Sequence, residues 1–171
     1  LPDALRGRRG SAVALINGGA IRTNRTVPPG PLTRRDVLSL LPFTDMAVKL
    51  EMRGADLRAA LEHGLAQTDR VGGGFLQISG VRVVWDPRLA PGRRIVDVSV
   101  AGKPLADDAA YTVAVPGYLV RGGDGYTVFG HAKTIVDAES GPQVSQVVIE
   151  AIAARTEIAP ALDGRIGRAA R

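Results

Sequence analysis

Few residues in this chain have the chemistry to break a bond. It contains two histidines and no cysteine, so thiolate metal sites and disulfides are excluded. His63 falls in a stretch with helical apolar spacing and His131 follows a glycine-rich loop. Neither belongs to a His-x-His, His-Glu-x-x-His or Asp-x-His pattern that would gather metal ligands. No Gly-x-Ser-x-Gly nucleophile elbow occurs. The inventory points away from an autonomous metal or serine hydrolase and toward a chain that binds.

Binding chemistry is better represented. The scarce aromatics are Phe43, Phe75, Trp85, Tyr111, Tyr118, Tyr126 and Phe129. Trp85 and Tyr111 fall within strand patterns. Phe43 follows Pro42 at a helix stop and Tyr126 follows a run of glycines, so each is read on a loop. Facing each other, two such rings would form a slot for a planar base, each stacking contact contributing roughly 1–3 kcal/mol. The alternative is that both rings cover the edge of the core. The run Asn17-Gly18-Gly19-Ala20-Ile21-Arg22 adds a strand end without side chains, where a ligand can approach backbone. The Asn amide can donate and accept, and Arg22 offers a forked cation suited to phosphate. An ordinary Asn-Gly turn beside a solvated arginine reads the same residues equally well.

The elements that must carry these residues are marked by periodicity. Ala12–Ile16 is a short apolar run closed by glycines, a buried strand followed by a polar loop with Pro28, Pro29, Gly30 and Pro31. Thr33 three residues before Asp36 predicts a capping-box start to a short helix that Pro42 stops. Ala47–Arg53 alternates as a half-exposed strand, and Leu57, Leu61 and Leu65 form one stripe of a helix of about three turns. Val81–Asp86, Ile95–Val100 and Tyr111–Val115 read as strands. Gly122-Gly123-Asp124-Gly125 is the strongest loop signal. A last helix is predicted from about Pro142 to Arg155, with Ser140 as its cap. Leu1–Leu5 resembles the closing turns of a helix entered part-way, which suggests a fragment of a longer chain. Strands in succession with three to four helices predict an α+β fold of mixed sheets, one compact domain over residues 1–171.

Composition sets the outer bounds. With 45% hydrophobic residues in 171, the chain can bury a substantial core, and 23% charged residues of both signs argue against disorder. The net charge of +5 comes from 22 Lys and Arg against 17 Asp and Glu. Apart from Arg6, Arg8 and Arg9 the positive residues are scattered, without the basic and aromatic stripe of a nucleic-acid binder. No apolar run approaches the ~20 residues of a membrane span.

Taken in order, Asn17-Gly18-Gly19-Ala20-Ile21-Arg22, Leu41-Pro42-Phe43, Gly73-Gly74-Phe75-Leu76-Gln77-Ile78-Ser79-Gly80 and Gly122-Gly123-Asp124-Gly125-Tyr126 resemble the C-terminal domain of the 5′-nucleotidase family, over residues up to about Ile166. The resemblance implies a substrate-binding set of Asn17, Gly19, Arg22, Phe43, Asp45, Gly73, Gly123, Asp124 and Tyr126. Within it Phe43 and Tyr126 sandwich the base, Arg22 binds phosphate, and Asn17 and Gly73 make polar contacts to the nucleoside. It also implies an N-terminal metallophosphoesterase domain upstream of Leu1 that holds two divalent metal ions, with none held by this chain. It further implies that the nucleotide is carried to those metals by domain rotation and that this chain alone is inactive.

The sequence departs from the family pattern at three places. Another phosphate-binding arginine belongs to a segment preceding Leu1, and the Arg6, Arg8 and Arg9 cluster does not replace it. Thr127–Lys133 lacks the acidic residue with which some members hold ribose. Asp45 stands where some members place an amide, and its charge is expected to tune the choice of base or sugar. By analogy the protein is periplasmic, cell-surface or secreted, and binds a nucleotide or nucleoside but no nucleic-acid polymer. Related readings are a non-catalytic nucleoside-binding or scaffold module, and a relative cleaving 2′,3′-cyclic nucleotides or nucleotide-sugars.

Overall fold

All five residues of Val13–Asn17 (β1) are buried, which explains why this strand reads as an unbroken apolar run. A strand covered on both faces has no solvent side to mark with polar residues. The computed structural model describes residues 1–22, 26–69 and 72–170. Residues 23–25, part of the polar loop expected after Arg22, lie outside this set. Around β1 the chain forms helix Pro2–Arg9 (α1), helix Arg34–Leu40 (α2), strand Ala47–Arg53 (β2), helix Gly54–Ala66 (α3), and strands Leu76–Ser79 (β3), Val81–Trp85 (β4), Ile95–Val100 (β5) and Lys103–Pro104 (β6). Strand Ala110–Pro116 (β7), the one-turn helix Gly117–Val120 (α4), strand Lys133–Val136 (β8), helix Val144–Ala153 (α5) and strand Ile166–Arg168 (β9) complete it.

The strands make two mixed sheets, one of five in the order β3-β1-β7-β2-β8 and one of four in the order β6-β5-β4-β9. β1 runs parallel to β7, and β4 parallel to β9, while the other pairs are antiparallel. This is the α+β arrangement the pattern predicts.

The two faces of the larger sheet differ in side-chain size. Ala14, Ile16, Ala47 and Ala114 pack with Leu5 of α1 and Val144 and Val147 of α5. Three alanines on that face let α1 and α5 lie close to the strands. On the other face Val13, Leu15, Leu50, Val113 and Val115 share a core with Leu57, Leu61 and Leu65 of α3 and with Val81, Val83, Trp85 and Val98 of the smaller sheet. One helix thus joins both sheets. Its Glu62 is buried and accepts the backbone N–H groups of Arg94 and Ile95 at 2.8 and 2.7 Å. That carboxylate replaces water for two donors that would otherwise be stranded, a loss of about 1–3 kcal/mol each.

The capping box forms as expected: Thr33 accepts from Asp36 N and the Asp36 carboxylate accepts from Thr33 N. The cap expected for α5 does not form. The helix begins at Val144, one residue after Gln143, which makes no side-chain capping bond. Ser140 lies too early and donates its N–H to Asp137 Oδ1 at 2.8 Å in the preceding turn. Instead, Val144 N donates to the carbonyl of Asp45 at 2.9 Å, which anchors the helix start to the segment carrying Phe43.

Candidate functional site

The end of β1, the stop of α2 and the start of α4 converge on an open cleft of about 460 Å³. Asn17, Gly19 and Arg22 line it from the first segment, Phe43 and Asp45 from the second, and Tyr118, Arg121 and Asp124 from the third, with Gly73 and Ser145 at its edges. Seven of the nine residues expected at the site from sequence therefore share one cavity. Gly123 and Tyr126 do not line it.

Tyr126 is the clear correction. It is 1% exposed, and its hydroxyl donates to the carbonyl of Gly74 at 2.6 Å. Its ring packs edge-on to His63 at 4.4 Å and beside Phe129 at 5.5 Å. Burial, with the charge of Asp124 adding to it, pushes its phenol pKa well above the ordinary value. A ring held this way belongs to the core and cannot face Phe43 across the cleft.

Among the described residues, the other exposed aromatic in the cleft lining is Tyr118; Phe43 and Tyr118 are 48% and 41% exposed respectively. Tyr118 is positioned from both ends. Its N–H donates to both oxygens of Asp45, at 2.9 and 3.1 Å. Its hydroxyl donates to Asp124 Oδ1 at 3.1 Å and accepts from Asp124 N at 3.2 Å. Gly123 serves this ring, because a Cβ there would sit 2.4 Å from it. Only glycine fits beneath the tyrosine.

Asp124 is reached through a tight turn in which it adopts φ 53°, a left-handed conformation that aspartate tolerates better than most residues. Its Oδ2 accepts from Asn17 Nδ2 at 2.7 Å, and its carbonyl lies 2.9 Å from His63 Nε2. His63 thus supports the turn from below. The side-chain oxygen of Asn17, Oδ1, is buried without a hydrogen-bond partner among the described residues, as is the Ser145 hydroxyl.

The other cleft residues have simpler reasons for their places. Gly19 N donates to the carbonyl of Gly73 at 2.8 Å, and a Cβ on Gly73 would lie 2.7 Å from Gly19 Cα. These glycines allow two loops to touch backbone to backbone. The Arg22 guanidinium lies 5.1 Å from the Phe43 ring centroid, a cation–π distance. Arg121 Nη2 reaches Asp45 Oδ1 at 3.4 Å, and its side chain remains 65% exposed.

Residues 1–131 match the family model of the 5′-nucleotidase C-terminal domain. The chain belongs to this family. It is 32% identical over 164 residues to the 5′-nucleotidase of Rattus norvegicus, covering 91% of this chain and 28% of that protein. Its fold is similar to the crystal structure of a 5′-nucleotidase precursor from Thermus thermophilus, with a TM-score of 0.89 and 32% identity over 98% of this chain and 34% of the other. The NAD nucleotidase of Haemophilus influenzae shares the fold at a TM-score of 0.84 and 22% identity, covering 99% of this chain and 32% of that one. The chain spans about a third or less of these relatives.

The 5′-nucleotidase family brings the expectation of a pair of divalent metal ions. Among the described residues no three or more His, Cys, Asp or Glu side chains are grouped to hold a metal ion. No described helix is long and apolar enough to cross a membrane.

Proposed function

We propose that this domain binds the nucleoside part of a nucleotide in the Phe43–Tyr118 cleft and presents its phosphate to a dimetal site in an N-terminal metallophosphoesterase domain of the same polypeptide. The observation that carries the reading is a pair of exposed rings from two separate segments lining one cavity, with a forked cation beside one of them. Stacking on two rings suits a planar base. Arg22, already beside Phe43, supplies a charge-assisted contact to phosphate. The Asp124 carboxylate, whose oxygens keep spare acceptor capacity after bonding Asn17 and Tyr118, suits ribose hydroxyls.

In this reading hydrolysis is the work of the N-terminal domain and its two divalent metal ions, and this chain binds and orients. The isolated domain is inactive as a phosphatase. A periplasmic, cell-surface or secreted location is part of this reading, supported by relatives that include snake-venom 5′-nucleotidases from Naja atra and Macrovipera lebetinus.

Calorimetric titration of the domain with adenosine 5′-monophosphate tests the proposal. Saturable binding that Phe43→Ala weakens at least about tenfold is expected from the loss of one stacking partner. Absence of binding, or binding indifferent to Phe43→Ala, contradicts it.

A further inference from the structure

Tyr118 meets different chemistry at its two ends. Its hydroxyl end carries Asp124, and its backbone end carries Asp45. Arg121 comes three residues later, on the same turn of chain as α4. Positions three apart on a helical turn are side-by-side neighbours. A planar group stacked on the Tyr118 ring with its polar substituent toward Asp124 therefore turns its opposite edge toward Asp45 and Arg121.

These two side chains are not equally available. Asp45 Oδ1 already accepts from Met46 N and Tyr118 N, and Oδ2 accepts from Tyr118 N. Its side chain is 17% exposed. Arg121 lines the cleft, and among the described residues its guanidinium makes one long hydrogen bond, to Asp45 Oδ1 at 3.4 Å. Of the five N–H donors of a guanidinium, most remain for a ligand. The far edge of the cleft is thus a donor surface, held in place by a carboxylate whose own acceptors are engaged.

We infer that Arg121 is a specificity-determining residue that reads the edge of the base opposite the sugar, and that the site prefers bases bearing a carbonyl on that edge. The inference rests on the nucleotide reading above and deepens it. Hypoxanthine and guanine present O6 and N7 as two adjacent acceptors, which match the guanidinium fork. Adenine presents an amino group at the same position, so donor meets donor. Discrimination comes as much from that mismatch as from the favourable pair.

The test compares inosine and adenosine 5′-monophosphates, which share ribose and phosphate and differ in the group at C6. Each is titrated calorimetrically into the domain and into Arg121→Ala and Arg121→Gln, with thermal melts to verify folding of these exposed-site variants. Inosine 5′-monophosphate binds at least about fivefold more tightly to the native domain, the low end of what a bidentate arginine contact discriminates. In Arg121→Ala the ratio falls close to one. In Arg121→Gln it turns toward adenosine, because a carboxamide pairs with N6 and N7 of adenine. Equal affinities in the native domain, tighter adenosine binding, or a ratio unchanged in Arg121→Ala overturns the inference while leaving the nucleotide reading standing. Failure of both nucleotides to bind overturns the two together.

Discussion

The carboxylate of Asp45 accepts the backbone N–H of Tyr118 through both oxygens, at 2.9 and 3.1 Å, across 73 residues of sequence. Asp45 lies two residues after Phe43, so this contact ties the segment that carries Phe43 to the start of α4 that carries Tyr118. The charge of Asp45 is thus spent on the first turn of α4, which it caps from outside the helix.

Removing that carboxylate therefore loosens the slot. Asp45→Ala is expected to cost about 0.5–2 kcal/mol of stability, the range for losing a capping side chain, and to weaken nucleotide binding several-fold. Asp45→Asn keeps one acceptor oxygen and recovers most of both. Chemical denaturation and calorimetry on the two variants check this; an alanine variant that binds as the native domain does would show that Asp45 has no part in placing Tyr118.

Asp124 combines a backbone role with a side-chain role, and glycine separates them. Asp124→Gly accommodates φ 53° without strain but loses the bonds to Asn17 and Tyr118. The variant should fold with a melting temperature near that of the native domain and lose nucleoside affinity by about tenfold or more, in line with a lost charge-assisted hydrogen bond. Asp124→Val adds strain at the turn and should lower the melting temperature further. Equal losses of stability in both would indicate that the carboxylate, not the backbone, holds the turn.

Acid sensitivity has a local source near the chain's end. Hydrogen bonds from Arg165 hold Asp163 at a pKa of about 2, below its ordinary 3.8, and Arg165 also bonds Asp3 and the carbonyl of Ile78. A depressed carboxyl contributes stability that is present above its unfolded pKa and lost as pH falls through the folded one. The difference in melting temperature between the native domain and Asp163→Asn should be constant above about pH 5 and vanish toward about pH 2. A difference that grows on acidification would reverse the assigned sign.

Much of the fold is legible from side-chain spacing, because β2 and β4 alternate and α3 keeps its leucines on one stripe. β8 is harder to see: its residues are exposed or half-buried, and its place is set by pairing with β2, a relation that carries no local pattern. β3 is hidden for another reason, since Leu76–Ser79 lies just beyond a run of glycines and is defined by its partner β1. At the candidate site, seven of the residues named from the motifs line one cavity. The second ring is misplaced by sequence reasoning because a glycine run suggests an exposed loop, whereas the left-handed turn at Asp124 folds the chain back and carries Tyr126 under His63. Two local signals point to Tyr118: Pro116-Gly117, which ends β7, and Gly123, whose missing side chain makes room for a ring.

In the proposed site Tyr118, and not Tyr126, forms the ligand slot with Phe43. Adenosine 5′-monophosphate titrated into Tyr118→Ala and Tyr126→Phe, alongside thermal melts of each, tests it most directly. Tyr118→Ala should lose binding at least about tenfold with little change in melting temperature. Tyr126→Phe should keep native affinity while losing about 1 kcal/mol of stability from the bond to Gly74. Native affinity in Tyr118→Ala together with weakened binding in a well-folded Tyr126→Phe would contradict the account.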